Sequence, residues 1–361
     1  MDPVLDFIGK GVSQGQVAQQ MMVNGSMDPG KMRPWVGKDG RVYITVFTGG
    51  DPKNAKSYST QPLAINSTGT VLRRDEWKAL DDAVIGVAET RLNGVQDLIS
   101  RGLVYNLGNA MGTTVLESHT VSDAMEAELS MDGVTRGQGD RPEFGTTYLP
   151  IPIIHVDYEI NARVLAASRS LGNPLDTTSA ERAARKVAEK LENMLFTNTS
   201  YSFGGGSIYS YLNFPHRNLM SLTGAWSGLT GAQIVADVVR MKQEAIDAHF
   251  YGPYVLYVPS AYETKLDVDY DAGTPGTTVR ERILKIANIN AVVVNDTLAA
   301  GNVLLVQMTS DVVRIVRGMG IQNIQWQTEG TFINKYKVIT IQVPQIRADD
   351  NNKCGIVHAS A

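Results

Sequence analysis

Asp267-Val268-Asp269-Tyr270-Asp271-Ala272-Gly273 sets three carboxylates on alternate positions, the spacing with which a calcium loop gathers oxygen ligands around a hard cation. The glycine such a loop needs is displaced by one, and its twelfth position is Thr278 where a bidentate acid belongs. The cluster reads as a polar loop, and more sharply as an acidic loop that meets its own copies around a symmetry axis. Other reactive types are dispersed. His119, His155, His216, His249 and His358 form no His-Glu-x-x-His pair, and the single cysteine, Cys354, rules out paired thiolate ligands. Gly9-Lys10-Gly11 and Gly204-Gly205-Gly206 lack the spacing and Lys-Ser/Thr ending of a phosphate loop. The sequence therefore assigns no catalytic residue, no cofactor and no metal ligand, and the expectation is a protein that is not an enzyme.

One charged pattern remains. Arg182, Lys186 and Lys190 step by four along one edge of a predicted helix, with Glu181 and Glu189 on the neighbouring edge and Arg185 between them. A solvated face is the ordinary reading of such a run. A basic edge that meets polyanion is the sharper one.

The helix that carries this edge spans Thr178 to Phe196. Ala180, Ala183, Ala184, Val187, Ala188, Leu191, Met194 and Leu195 recur at three- and four-residue steps and fall on one side. Thr178 and Glu181 fit a capping box. Around this helix the chain divides by pattern. Met1 to Pro34, rich in glycine, cannot bury enough apolar area alone and reads as disordered or as an arm laid on something else. A turn at Lys38-Asp39-Gly40-Arg41 separates Trp35-Val36 from a strand at Val42 to Phe47, and Asp51 to Gly69 reads as loop. Asp75 to Leu107 carries a helical stripe, broken near Gly94 and ended around Gly102.

Two strand-like arms follow, Val115 to Met131 and Phe144 to Ile160, joined by a glycine-rich charged tip at Asp132 to Pro142. Strands that long exceed the usual length, and such a hairpin needs a partner surface. Thr230 to Ala248 is a second amphipathic helix, with Thr230 and Gln233 as its capping pair. Strands at 254–258, 291–294, 303–308, 312–316, 324–326 and 335–343 alternate with helices near 260–266 and 279–287, which suggests a compact α+β unit.

Composition sets outer limits. Of 361 residues, 43% are hydrophobic and 19% charged, ordinary for a globular chain. A net charge of -4 makes the whole molecule no dedicated nucleic-acid binder, so any such contact must come from local patches. No long apolar run points to a membrane span, and the first residues lack a basic start to a secretion signal. With one cysteine, a reducing, cytosolic origin is expected.

Several of these stretches, in this order, resemble the shell proteins that comprise encapsulins and tailed-phage major capsid proteins of the Hong Kong ninety-seven fold. Leu72-Arg73-Arg74-Asp75-Glu76-Trp77 with its helix is similar to the encapsulin start, and Leu191 to Phe196 before a glycine turn to the end of the spine helix. Gly252-Pro253-Tyr254 is similar to the opening of the axial domain, and Val312 to Ile321 with Glu329-Gly330-Thr331-Phe332 to the last strands. The resemblance implies an N-terminal arm with its helix at 1–113 and an extended loop at 114–152. It further implies a peripheral domain at 153–228 with the spine helix at 178–196, an axial domain at 229–333, and a return strand to the peripheral domain with a C-terminal tail at 334–361. Asp267, Asp269 and Asp271 would line the capsomer axis. Asp132, Arg136, Asp140 and Arg141 would form an intersubunit hairpin tip.

The implied function is that of a major capsid protein whose pentamers and hexamers close an icosahedral shell around double-stranded DNA, held without sequence preference along edges such as Arg182, Lys186 and Lys190. Scaffold, portal or decoration proteins would be further partners, with no membrane. The shell would belong to a virion assembled in the host cytoplasm. The alternative is an encapsulin compartment around a cargo enzyme; the long first segment, which compact encapsulins generally lack, favours the phage reading.

Overall fold

The computed structural model describes residues 33–39, 41–47, 58–62, 72–91, 93–108, 111–121, 144–171, 177–197, 200–271, 276–329, 333–349 and 351–361. Two sheets carry the architecture, and one helix spans the ground between them.

That helix, α4 by chain order, runs over Thr178–Phe196, the range its periodicity predicts. Its cap differs from the expected box. Thr177 is the N-cap and donates its hydroxyl to Glu181 Oε1 at 2.6 Å, with no side-chain bond to the helix amides. Small residues let α1 (Arg74–Arg91) approach closely: Ala180, Ala183, Ala184 and Val187 share a core with Trp77, Leu80 and Val84. Further along, Ala188, Leu191, Leu195 and Phe196 pack with Val95 and Leu98 of α2 (Asn93–Ser100). Gly94, near which the sequence suggests a break, lies inside α2, and position 92 lies outside the described residues. A Cβ at Gly94 would sit 2.2 Å from the Phe196 ring, so only glycine allows this packing. Gly102, at φ +74°, ends α2 as expected.

The four-stranded sheet has the order β4-β14-β15-β7, from Val104–Asn106, Val313–Glu329, Ile333–Ile346 and Ile154–Asn161. β14 is one strand of 17 residues where the sequence suggests two, at 312–316 and 324–326. Register shifts between Arg317 and Met319, and between Met319 and Gln322, absorb Gly318 and Gly320 without ending the pairing with β15.

The five-stranded sheet has the order β10-β16-β13-β11-β12, from Asn218–Ser221, Ile356–Ser360, Asn302–Gln307, Tyr254–Pro259 and Ile289–Asn295. All six residues of β11 are buried. Val255 and Tyr257 join the core beneath α4, while Tyr254, Leu256 and Val258 face α5 (Gly231–Asp247), a period-two division between two cores. α5 has the predicted capping box, Thr230 with Gln233. Two strands of this sheet come from outside the 229–333 range: β10 precedes it, and residues 356–360, expected in a tail, are an inner strand.

The Phe144 to Ile160 arm divides in two. β6 (Phe144–Pro150) pairs with β5 (Val115–Val121), and after Ile151-Pro152-Ile153 the chain turns into β7, which pairs with β15. Pro152 has no amide hydrogen to continue a ladder, which suits the break. The rest of the first arm, beyond Val121, lies outside the described residues. The polar stretch read as loop at 51–69 contains a strand, β3 (Tyr58–Pro62), antiparallel to β2 (Val42–Phe47), which pairs in turn with β1 (Trp35–Val36). This small sheet is tied to α1: Arg33 makes a two-pronged contact with Asp81 at 2.6 Å and lies 4.4 Å over the Trp77 ring. Residues 1–32 lie outside the described residues. β8 (Tyr201–Phe203) and β9 (Gly206–Ile208) form a separate hairpin, and α3 (Ala162–Leu171), α6 (Glu263–Leu266) and α7 (Val279–Leu284) complete the elements used below.

Candidate assembly surfaces

Arg182, Lys186 and Lys190 all project from α4 to the surface. They are not three equivalent free cations. Glu189 accepts from Lys186 Nζ at 2.7 Å and from Arg185 Nε at 2.9 Å, which holds its carboxyl below the ordinary glutamate range. Lys186 is well exposed, so this pair is worth little. Arg182 and Lys190 make no ion pair among the described residues and keep their charge available along the edge.

The opposite side of α4 carries a residue that the pattern did not single out. Glu192 is 3% exposed, within the apolar stripe. Its Oε1 accepts from Gly94 N at 2.7 Å and from Asn295 Nδ2 at 2.7 Å, and its Oε2 from Val95 N at 3.3 Å. A carboxylate lent by α4 thus caps the first turn of α2, where the helix leaves amides unpaired, and grips the end of β12. Burial pushes the Glu192 carboxyl up, and the three donors oppose that shift. The signal in the sequence was an acid four residues after Ala188 on the buried face.

The acidic loop has a definite base. Tyr270 N donates to Thr277 O at 2.8 Å and Val279 N to Val268 O at 3.0 Å, closing a small hairpin at the start of α7. Asp267, Asp269 and Asp271 are all exposed. Asp267 turns to Arg280, 3.0 Å away, so part of the expected repulsion is relieved within the protomer. Among the described residues no group of three His, Cys, Asp or Glu side chains is arranged to hold a metal ion.

The foot of the extended loop is the β5-β6 ladder, from Val115 opposite Pro150 to Val121 opposite Phe144. Residues 145–148 are exposed along it. The β8-β9 hairpin lies against its base so tightly that a Cβ on Gly206 would come within 2.1 Å of the Tyr148 carbonyl oxygen. Asp132, Arg136, Asp140 and Arg141 lie outside the described residues.

His358 on β16 completes a chain of contacts across the five-stranded sheet. Arg217 Nε donates to His358 Nδ1 at 3.3 Å, and His358 Nε2 lies 2.8 Å from Asn302 Oδ1. Because Asn302 Nδ2 donates to Ala299 O at 3.2 Å, its oxygen faces the ring. Only the neutral imidazole with hydrogen on Nε2 satisfies both neighbours. Burial and the Arg217 charge push the His358 pKa down.

Comparison with known proteins places this arrangement. Residues 66–359 match the model of a family described as "Family of unknown function (DUF6260)". The chain belongs to this family. The solved virus-like particle from Pyrococcus furiosus is similar at 17% identity and TM-score 0.57, over 80% of this chain and 99% of that one. The capsid of Myoviridae Phage XM1 is similar at 10% identity and TM-score 0.59, over 74% of this chain and 92% of that one. A curated relative, the Type 1 encapsulin shell protein EncA of Myxococcus xanthus (strain DK1622), is 27% identical over 203 residues, 55% of this chain. The match spans 65% of that relative, just under two thirds of its length. The DUF6260 chain therefore has the α+β fold of encapsulin-like capsid proteins, as the resemblance implied, and no described helix is long and apolar enough to cross a membrane.

Proposed function

We propose that this protein is a major capsid protein whose copies, as pentamers and hexamers, close an icosahedral shell around double-stranded DNA. The observation that carries the reading is the β5-β6 hairpin. It leaves the body as two strands with an exposed row at 145–148, and two strands alone are marginal in water. A neighbouring copy is the surface that completes it, with Asp132, Arg136, Asp140 and Arg141 at its tip. Around each capsomer axis stand Asp267, Asp269 and Asp271. The inner face presents Arg182 and Lys190, with Lys186 half-compensated, to phosphate without reading sequence. The arm at 1–113, loop at 114–152, peripheral unit at 153–228, axial unit at 229–333 and return segment at 334–361 are the working parts. Scaffold, portal or decoration proteins would act on this shell, which belongs to a virion assembled in the host cytoplasm.

A second reading, an encapsulin-type compartment around a cargo enzyme, is favoured by the 27% identity to the encapsulin shell protein. Electron micrographs of the full chain, with the ratio of absorbance at 260 and 280 nm of native particles, test both. Closed shells rich in nucleic acid are expected. Shells filled with protein favour the compartment, and a monomer at every salt concentration removes both readings.

A further inference from the structure

Two arginines at the end of the β14-β15 hairpin carry charge that no described carboxylate answers. Arg314 and Arg347 are both half-buried, and neither makes an ion pair among the described residues. Arg314 is held in place: its Nε donates to Gln345 Oε1 at 2.7 Å, and its guanidinium lies 4.4 Å over the Tyr105 ring. Gln345 is itself fixed, donating from Nε2 to Ser118 Oγ of β5 at 3.0 Å. Arg347 follows two residues after Gln345, anchored by its backbone amide to Val312 O at 2.9 Å. Burial and the neighbouring Arg347 charge lower the Arg314 pKa, the mark of two like charges held together. Half-buried guanidiniums without a carboxylate cost stability that an incoming anion would recover. The planar fork of Arg suits a carboxylate partner.

The chain has a segment of matching charge. Residues 122–143, between β5 and β6, hold six carboxylates against two guanidiniums, an excess equal to the whole chain's net charge of -4. Asp123, Glu126 and Glu128 lead it with no base among them. We propose that Arg314 and Arg347 form a receptor for these carboxylates from a second copy of the chain. Ser118, which buttresses the receptor, lies at the foot of the protomer's own hairpin. The shell reading gives that hairpin to contacts between copies, so the carboxylates offered to the two arginines are a neighbour's. The inference rests on the shell reading above and names one of its contacts.

Charge exchange between copies tests it. One variant carries Arg314→Glu and Arg347→Glu; the other carries Asp123→Lys, Glu126→Lys and Glu128→Lys. Each alone should lose at least ten-fold in assembled particles by light scattering, and the two co-expressed should recover most of the yield, because each supplies the other's complement. The milder pair Arg314→Gln with Arg347→Gln keeps shape and should melt like wild type as a protomer, yet assemble poorly and with weaker salt dependence. Assembly of that pair at the wild-type level overturns the proposal. So does failure of the mixture when a single chain carrying all five changes assembles, since the contact would then lie within one copy. A loss of nucleic acid from otherwise normal particles also overturns it, giving the arginines to phosphate. If wild type forms no particles, the shell reading falls and this contact with it.

Discussion

Glu192 joins three elements through one buried carboxylate, so its replacements separate charge from hydrogen bonding. Glu192→Ala should cost about 2–3 kcal/mol by leaving the Gly94 and Val95 amides and the Asn295 amide unanswered. Glu192→Gln keeps an acceptor for Gly94 and Asn295, both of which bind Oε1, and should cost about 1 kcal/mol. Because the folded pKa is raised above the ordinary 4.5, this group contributes stability that is complete below 4.5 and lost as pH rises through the raised value. The Gln variant should show a flatter pH profile over that window in chemical denaturation; an unchanged slope refutes the assignment. His358 works the other way. Its folded pKa lies below the ordinary 6.5, so its contribution is complete above 6.5 and lost as pH falls through the lowered value. Acid should lower the hydrogen-exchange protection factors of β10 and β16 in wild type more than in His358→Gln, and an equal loss of protection in both would show that the Arg217 contact does not titrate. The sequence made His358 an unremarkable lone histidine, because its partners Arg217 and Asn302 are distant in the chain and no local pattern joins them.

At the scale of elements, the long helices were the legible part, whereas α3 (Ala162–Leu171) was not read from the sequence. α4 and α5 follow a 3.6-residue period over many residues, and their lengths leave little ambiguity. Strands were harder where partners are remote. β14 looked like two strands because Gly318 and Gly320 interrupt its apolar run, and only pairing with β15 shows that they are absorbed as irregularities. β3 is polar on both faces and gave no period-two signal. The three alternating acids at 267–271 were visible as types, but the turn of Asp267 toward Arg280 depends on a helix start beyond the loop. Close approach between elements gives a further test. Gly206→Ala would push the β8-β9 hairpin off Tyr148 and should cost about 1–3 kcal/mol. Faster exchange confined to residues 201–208, with a lowered melting point, is expected; an unaltered melting point would mean that the hairpin shifts freely.

For the molecule as a whole, the resemblance rested on the order of weak local signals, and the fold agrees with it over most of the chain. What no single sequence could supply is the surface that the proposed shell function gives the β5-β6 hairpin, since a contact between copies leaves no pattern within one chain. Deleting Asp132 to Pro142 should leave a protomer with wild-type melting and no closed particles in sedimentation. Normal particles from that deletion would remove the hairpin from the assembly contacts. The place of β16 has a separate consequence. It lies between β10 and β13, although residues 356–360 are made long after both. A nascent chain can form α4 and α5 early, but its five-stranded sheet keeps an open slot until that late segment emerges. Completion of this sheet therefore waits on translation of residues 356–360, and under the proposed shell function a copy lacking them would offer its neighbours an unfinished sheet.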